Sequence, residues 1–169
     1  WIEANCGARW IDPQEQLELT GRDVKAEVWM AVIQGAAGIG YFTHSWWPEY
    51  DEFACNEEVL AAMTEVNAKV TRLAAFILAQ KYKSSVSFSM ENGLDCICKA
   101  TEKDGDVFLF CQNTDMNRRS GTGTINVEGI SDGEAEVLEE NRTVPVNGGK
   151  ITDEFGPLEE HCYRVESRE

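Results

Sequence analysis

The sequence predicts an α/β segment followed by an all-β segment, and three observations lead there. Over residues 1–82, short apolar stretches alternate with stretches of helical period, the pattern of a parallel sheet covered by helices. After Lys83 the period switches to two, and the strand-like segments become short and numerous, as in an antiparallel β-sandwich. Glycine-bearing turn signals separate those segments.

In the first part, Trp1-Ile-Glu3 reads as a strand end, followed by a loop holding Cys6-Gly-Ala-Arg9 and Asp12-Pro13. Thr20-Gly-Arg-Asp23 has the form of a capping box. Val24, Val28, Ala31 and Val32 then recur at helical spacing, and Gly35 suits the left-handed residue that closes a helix. Ile39, Tyr41 and Phe42 form a short apolar strand of the kind buried in parallel sheets. Asn56 caps a second helix, with Glu57 and Glu58 in its positive first turn. Its stripe is Val59, Met63, Val66, Val70, Leu73 and Ile77, with Lys81 and Lys83 near its negative end.

The second part holds eight strand candidates: Val86–Ser89, Asp95–Lys99, Val107–Cys111, Thr124–Val127, Ala135–Leu138, Thr143–Val146, Lys150–Thr152 and His161–Val165. Glu91-Asn-Gly, Lys103-Asp-Gly, Ser131-Asp-Gly and Asn147-Gly-Gly mark turns between them. Pro145 must sit at an edge or a bulge. The boundary between the two domains is expected near Tyr82–Ser84.

Composition removes several functions. A formal charge of −15 repels nucleic-acid backbones and anionic membranes, while leaving a neutral ligand such as carbohydrate unaffected. No apolar run reaches the about 20 residues that span a bilayer. The six cysteines show no paired zinc knuckles. Cys96 and Cys98 point to one strand face and do not bridge each other, so free, mostly buried thiols are expected. Dinucleotide and phosphate loops, the H-E-x-x-H zinc motif and the G-x-S-x-G elbow are absent from the sequence.

Chemistry concentrates in Gly35-Ala-Ala-Gly-Ile-Gly-Tyr-Phe-Thr-His-Ser-Trp-Trp-Pro48. It presents His44, Trp46 and Trp47 at the carboxyl end of a strand, where parallel α/β barrels bind substrate. Paired indoles offer flat apolar faces with an N–H at the rim, which suits a sugar ring. The alternative is that both tryptophans pack beneath the loop from Pro48 to Phe53. His44 is equally a hydroxyl ligand or a structural histidine.

Two strands cannot close a barrel, which takes roughly eight. The expectation is that the rest of the ring precedes Trp1. Three segments then carry a family resemblance: Trp1-Ile-Glu3, the stretch from Leu19-Thr-Gly-Arg through Gly40-Tyr-Phe-Thr-His44, and Glu139–Arg142 with Phe155-Gly-Pro-Leu158 and Tyr163-Arg-Val165. Together they resemble the carboxyl-terminal end of a (β/α)8-barrel glycoside hydrolase. The resemblance is to the clan with catalytic carboxylates on strands four and seven, family-42-like.

The resemblance implies the last two βα units of a (β/α)8 barrel over 1–82 and an antiparallel β-sandwich over 83–169. It implies Glu3 as nucleophile of a retaining reaction on neutral carbohydrate, with Trp46 or Trp47 as the sugar platform and His44 and Asn5 as ligands. Arg9 and Glu49 lie in the same loops. The fourth-strand acid/base is missing, so this chain alone is expected to be inactive and to need the rest of the barrel as partner. No cofactor or metal is implied. The rival readings are a carbohydrate-binding module that does not cleave, and a structural or oligomerisation segment. Trp29 and Met30 read as packing residues, Arg22 and Glu27 as a solvated face, and His161 as structural. Asp104, Asp132 and Asp153 read as turn residues.

Overall fold

The computed structural model describes residues 1–6, 19–46 and 49–167. These divide into two compact units, Trp1–Thr71 and Arg72–Glu169. Together they contain a mostly antiparallel array of strands and two helices.

In the first unit, strand β1 (Ile2–Glu3) lies parallel to β2 (Tyr41–Phe42), with Ile2 opposite Tyr41 and Glu3 opposite Phe42. Between them in sequence comes helix α1 (Gly21–Ile33), whose capping box forms as the residues require: the Thr20 side chain accepts from the Asp23 N–H, and Asp23 accepts from the Thr20 N–H. Gly35, at φ +95°, closes the helix in the left-handed region. Helix α2 (Glu57–Ile77) starts at Asn56, whose Oδ1 accepts from Val59 N at 2.8 Å. A Cβ on Gly21 would stand 2.9 Å from the Ala62 Cβ, so only glycine lets α1 and α2 approach there. The Gly21 N–H donates to Glu58 Oε1 across the same gap at 2.7 Å. Trp29, Val24, Val28 and Val32 of α1 are buried, as are Val59, Met63 and Val66 of α2. Fully burying such a side chain stabilises by about 1.5–3 kcal/mol. Val70 is half-buried.

Alternation along β1 and β2 gives the small sheet two faces. Ile2 and Ala4 are buried, and Tyr41 reaches α2 through its hydroxyl, which donates to Asn67 Oδ1 at 2.7 Å. Burial raises the Tyr41 pKa against that hydrogen bond. The other face carries Trp1, Glu3, Phe42 and His44.

The second unit contains β3 (Gln80–Lys81), β4 (Val86–Met90), β5 (Cys96–Lys103), β6 (Asp106–Asn113), β7 (Gly121–Val127), β8 (Gly133–Val137), β9 (Arg142–Asn147), β10 (Lys150–Phe155) and β11 (Glu160–Glu166). All eight strand candidates of the sequence form. The addition is β3, which places Lys81 in a strand rather than beside the end of α2. The strands hydrogen-bond in one sheet, ordered β3-β5-β6-β11-β8-β9-β10-β7-β4, where the sequence led us to expect a two-sheet sandwich. The join is β8, which pairs with β11 on one side and β9 on the other, so the ladder is unbroken. The sheet curls on itself, and Cys96 Sγ of β5 lies 3.6 Å from the Phe88 carbonyl oxygen of β4, the far edge strand. Leu109, Ile125, Val137, Val146, Ile151 and Phe155 face one shared core. On its outer face Phe108 stacks on Phe76 at 4.3 Å.

Asp104-Gly105 and Gly148-Gly149 form two-residue turns with positive φ, as the turn signals predicted. Glu91-Asn-Gly does not join a hairpin, because β4 pairs with β7 while β5 pairs with β6. Pro145 lies beyond Val146, where β9 has parted from β10 and keeps only β8 as neighbour. That is the edge-like setting it needs.

His161 is structural, and its surroundings correct the reading of Asp153 as a turn residue. Asp153 sits in β10 and takes Arg142 Nη2 at 2.8 Å and the Tyr163 hydroxyl at 2.9 Å. Buried His161 faces Glu140 Oε1 at 2.6 Å through Nδ1 and the Glu154 carbonyl at 3.1 Å through Nε2. Both partners are acceptors, an arrangement that favours the protonated ring, while Arg142 Nη2 lies 3.3 Å from the same Nδ1. Burial pushes the His161 pKa down, but the Glu140 carboxylate, with Glu159 and Asp153, more than offsets this and the net shift is upward. A raised folded-state pKa contributes stability that is complete below the unfolded value of about 6.5 and is lost as pH rises through the folded value. The thermal midpoint of the sheet unit should therefore fall as pH rises above about 6.5, and His161→Gln should flatten that fall in a series of melts.

Candidate functional site

The carboxyl ends of β1 and β2 are held together by the returning chain. Ala54 N–H donates to Thr43 O at 2.8 Å, Cys6 N–H donates to Ala54 O, and the Cys55 thiol donates to Ala4 O at 3.0 Å. Burial, then Cys6 and Asp51, raises the Cys55 pKa, which keeps this thiol a donor. Ser45 and Asp51 close the loop with two hydrogen bonds of 2.9 Å. These bonds fix the rim from which the aromatic side chains project.

A cleft of about 680 Å³ opens on this unit, lined by Trp1, Glu3, Glu27, Tyr41, Phe42 and His44. Glu3 Oε1 accepts from Asn5 Nδ2, so two residues singled out from the sequence meet directly. Asn5 is buried, and its amide supplies a hydrogen-bond donor to the carboxylate. His44 lies against Phe42, with ring centroids 4.1 Å apart, and meets Trp46 edge-on at 5.2 Å. Tyr50 completes the group, 4.9 Å from Trp46. Trp46 is 63% exposed and Tyr50 59%, so the indole is an open platform rather than a plug beneath the loop.

Trp47 and Arg9 lie outside the described residues. Glu49 is described, but the cleft lining does not include it. Three lining or rim residues escaped the sequence reading. Trp1 shares a strand face with Glu3, and a Cβ on Gly40 would touch its ring at 3.1 Å; the two-residue spacing from Glu3 was the signal. Tyr50 was visible only as part of the loop. Glu27 read as a solvated helix position and instead borders the cleft. Its helical phase, one residue before buried Val28, gave no sign of this.

Among the described residues no group of three or more His, Cys, Asp and Glu side chains is arranged to hold a metal. What the site offers is a carboxylate with a hydrogen-bond donor at its oxygen, a second carboxylate at the cleft edge, and flat apolar rings beside them.

No protein-family model matches this chain, and no curated protein matches it in sequence. Among solved structures it is similar to an Anoxybacillus α-amylase, described as providing insights into a new glycosyl hydrolase subclass. The TM-score is 0.55 and the identity 12%, covering 88% of this chain and 33% of that one. An apo exo-carrageenase GH42 from Bacteroides ovatus has a TM-score of 0.37 and 9% identity, covering 86% of this chain and 20% of that one; this is too distant to carry an argument. The chain spans about a third of the length of the amylase. The fold of this chain is therefore one that occurs within a glycoside hydrolase.

Proposed function

We propose that this chain is the carboxyl-terminal part of a retaining glycoside hydrolase that acts on neutral carbohydrate. Residues of β1, α1, β2 and α2 supply the last two βα units of its barrel. Glu3 is the nucleophile, held by Asn5; Trp46 or Trp47 is the sugar platform, and His44 binds a hydroxyl. The acid/base comes from barrel residues outside these units. The observation that carries this reading is the placing of Glu3 and the exposed aromatic group at the same ends of two adjacent parallel strands. Two further points support it. Among the described residues β1 and β2 have only each other as strand neighbours, whereas parallel strands normally sit inside larger sheets. The resemblance in sequence also implies a nucleophilic glutamate at the position of Glu3.

The chemistry asks the ionised Glu3 carboxylate to attack the anomeric carbon while a protonated partner about 5–5.5 Å away gives its proton to the leaving oxygen. Water then hydrolyses the glycosyl ester. A 2-deoxy-2-fluoro glycoside with an activated aryl leaving group slows the second step and strands the ester. In the enzyme carrying the complete ring, gluco- and galacto-configured reagents should label the peptide containing Glu3, read by mass spectrometry after digestion. A label on a different carboxylate, or turnover of the reagent with no ester on any, removes the assignment.

A further inference from the structure

Cys98 in β5 and Cys111 in β6 stand directly opposite each other. The Asp104-Gly105 turn makes Lys103 and Asp106 the closing hydrogen-bonded pair, and pairs alternate from there. Five steps on, Cys98 and Cys111 form a pair of the non-hydrogen-bonded kind, with Cα atoms about 4.5 Å apart. That lies within the range a disulfide spans, about 4.4–6.8 Å. Their Sγ atoms are 2.9 Å apart, closer than two unconnected thiols normally approach. Both cysteines are free.

The two thiols differ in access. Cys111 is fully buried, and burial, reinforced by Cys98 and the neighbouring Cys162 and Cys96, raises its pKa. Cys98 is half-buried and lines a separate cleft of about 700 Å³ together with Lys81, Tyr82, Phe88 and Lys99. A reagent entering this cleft reaches one sulfur only. Lys81 and Lys99 are among the residues lining this cleft, in a chain otherwise strongly acidic, which favours a carboxylate-bearing ligand.

We propose that Cys98 and Cys111 are a reversible dithiol–disulfide site that takes a low-molecular-weight, carboxylate-bearing disulfide as its oxidant. The Cys98 thiolate attacks one sulfur of the reagent, the reagent's S–S bond breaks, and the first thiolate leaves and takes up a proton. Cys111 then attacks the Cys98 sulfur as it gives up its own proton, expelling the second thiolate, which is protonated in turn. The protein dithiol is oxidised and the reagent is reduced to two thiols. Cys98 is the entry sulfur and Cys111 the resolving one, because only the first is reachable. Spanning a pair at the short end of the allowed Cα range leaves the bond readily reduced.

The test is incubation of the folded chain with glutathione disulfide, followed by intact-mass measurement and tryptic mapping. Cleavage at Lys99 and Lys103 separates the two cysteines, so a bond between them holds two peptides together; Cys96 and Cys98 share one tryptic peptide, and fragmentation between them identifies which sulfur is linked. The expected product has lost two hydrogens, carries no glutathione, links Cys98 to Cys111, and returns to the dithiol with dithiothreitol. Cys111→Ser should stop at one glutathione on Cys98, and Cys98→Ser should leave Cys111 unmodified. The proposal is overturned if the wild-type chain stays reduced, ends as a stable glutathione adduct, or forms its bond through Cys96 or Cys162. The wild-type map decides the matter even where a variant fails to fold.

Discussion

Glu3→Ala in the ring-complete enzyme is expected to lower kcat/KM for aryl glycosides by on the order of 10⁴-fold or more, about 5 kcal/mol of transition-state stabilisation. The loss should be that large because no other described side chain on that strand face is a carboxylate, and the second carboxylate of the cleft, Glu27, comes from α1 rather than from the strand ends. Phe42 and His44 are the neighbouring cleft residues on β2 and its carboxyl end, and neither is a carboxylate. Truncation also opens space beside the anomeric carbon. Azide added from solution should enter it, attack from the face Glu3 vacated, and restore turnover of substrates whose leaving group needs no proton. The product should be a glycosyl azide of inverted configuration, because one displacement replaces two. Anomeric assignment by NMR reads this directly. A variant within about tenfold of wild type would show that Glu3 only binds a hydroxyl, and an azide product of retained configuration would show that the nucleophile is a different carboxylate.

The parts of this chain that sequence could reveal are those set by local chemistry. Thr20 and Asp23 announce the start of α1, and Gly35 its end, because capping involves residues three apart. The Asp104-Gly105 turn fixes the β5–β6 register, so the facing of Cys98 and Cys111 follows by counting outward from it. Pairings made over long separations were not legible in this way. Glu91-Asn-Gly looks like a hairpin turn, yet β4 leaves to pair with β7 some thirty-five positions on, and no local signal distinguishes the two outcomes. The same limit applies at the site. Glu3 with Asn5, and His44 with Trp46, each sit in a short strand-end segment, and the sequence pattern singled them out there. Glu27 reaches the cleft only through the tertiary placing of α1. Asp153 looked like a turn residue because its partners, Arg142 and Tyr163, lie ten or eleven positions away on other strands.

Those partners give the second large effect, on stability. Arg142 holds Asp153 with two contacts, Nη1 to Oδ1 at 3.0 Å and Nη2 to Oδ2 at 2.8 Å, while its Nε donates to Glu140 Oε2 at 2.8 Å. Asp153 is 11% exposed and Glu140 24%, so neither carboxylate is well hydrated once its partner is gone. Removing the guanidinium leaves two carboxylates, Asp153 and Glu140, with His161 as their neighbouring basic group. Arg142→Met keeps the length and apolar stem of the side chain but deletes the charge and the fork. It should destabilise the sheet unit by about 3 kcal/mol, the lower end for a broken buried pair, because the Arg142 side chain is itself one-third exposed. Arg142→Lys should recover only part, since an ammonium cannot match the planar two-point contact. The exposed pair of Arg72 with Glu139, joined at 2.6 and 2.8 Å, provides the contrast: Arg72→Met should cost less than about 1 kcal/mol despite equally short contacts. Urea unfolding of the three variants and the wild type measures all of this. Equal costs for Arg142→Met and Arg72→Met would mean that burial of the carboxylates, rather than contact geometry, contributes nothing here.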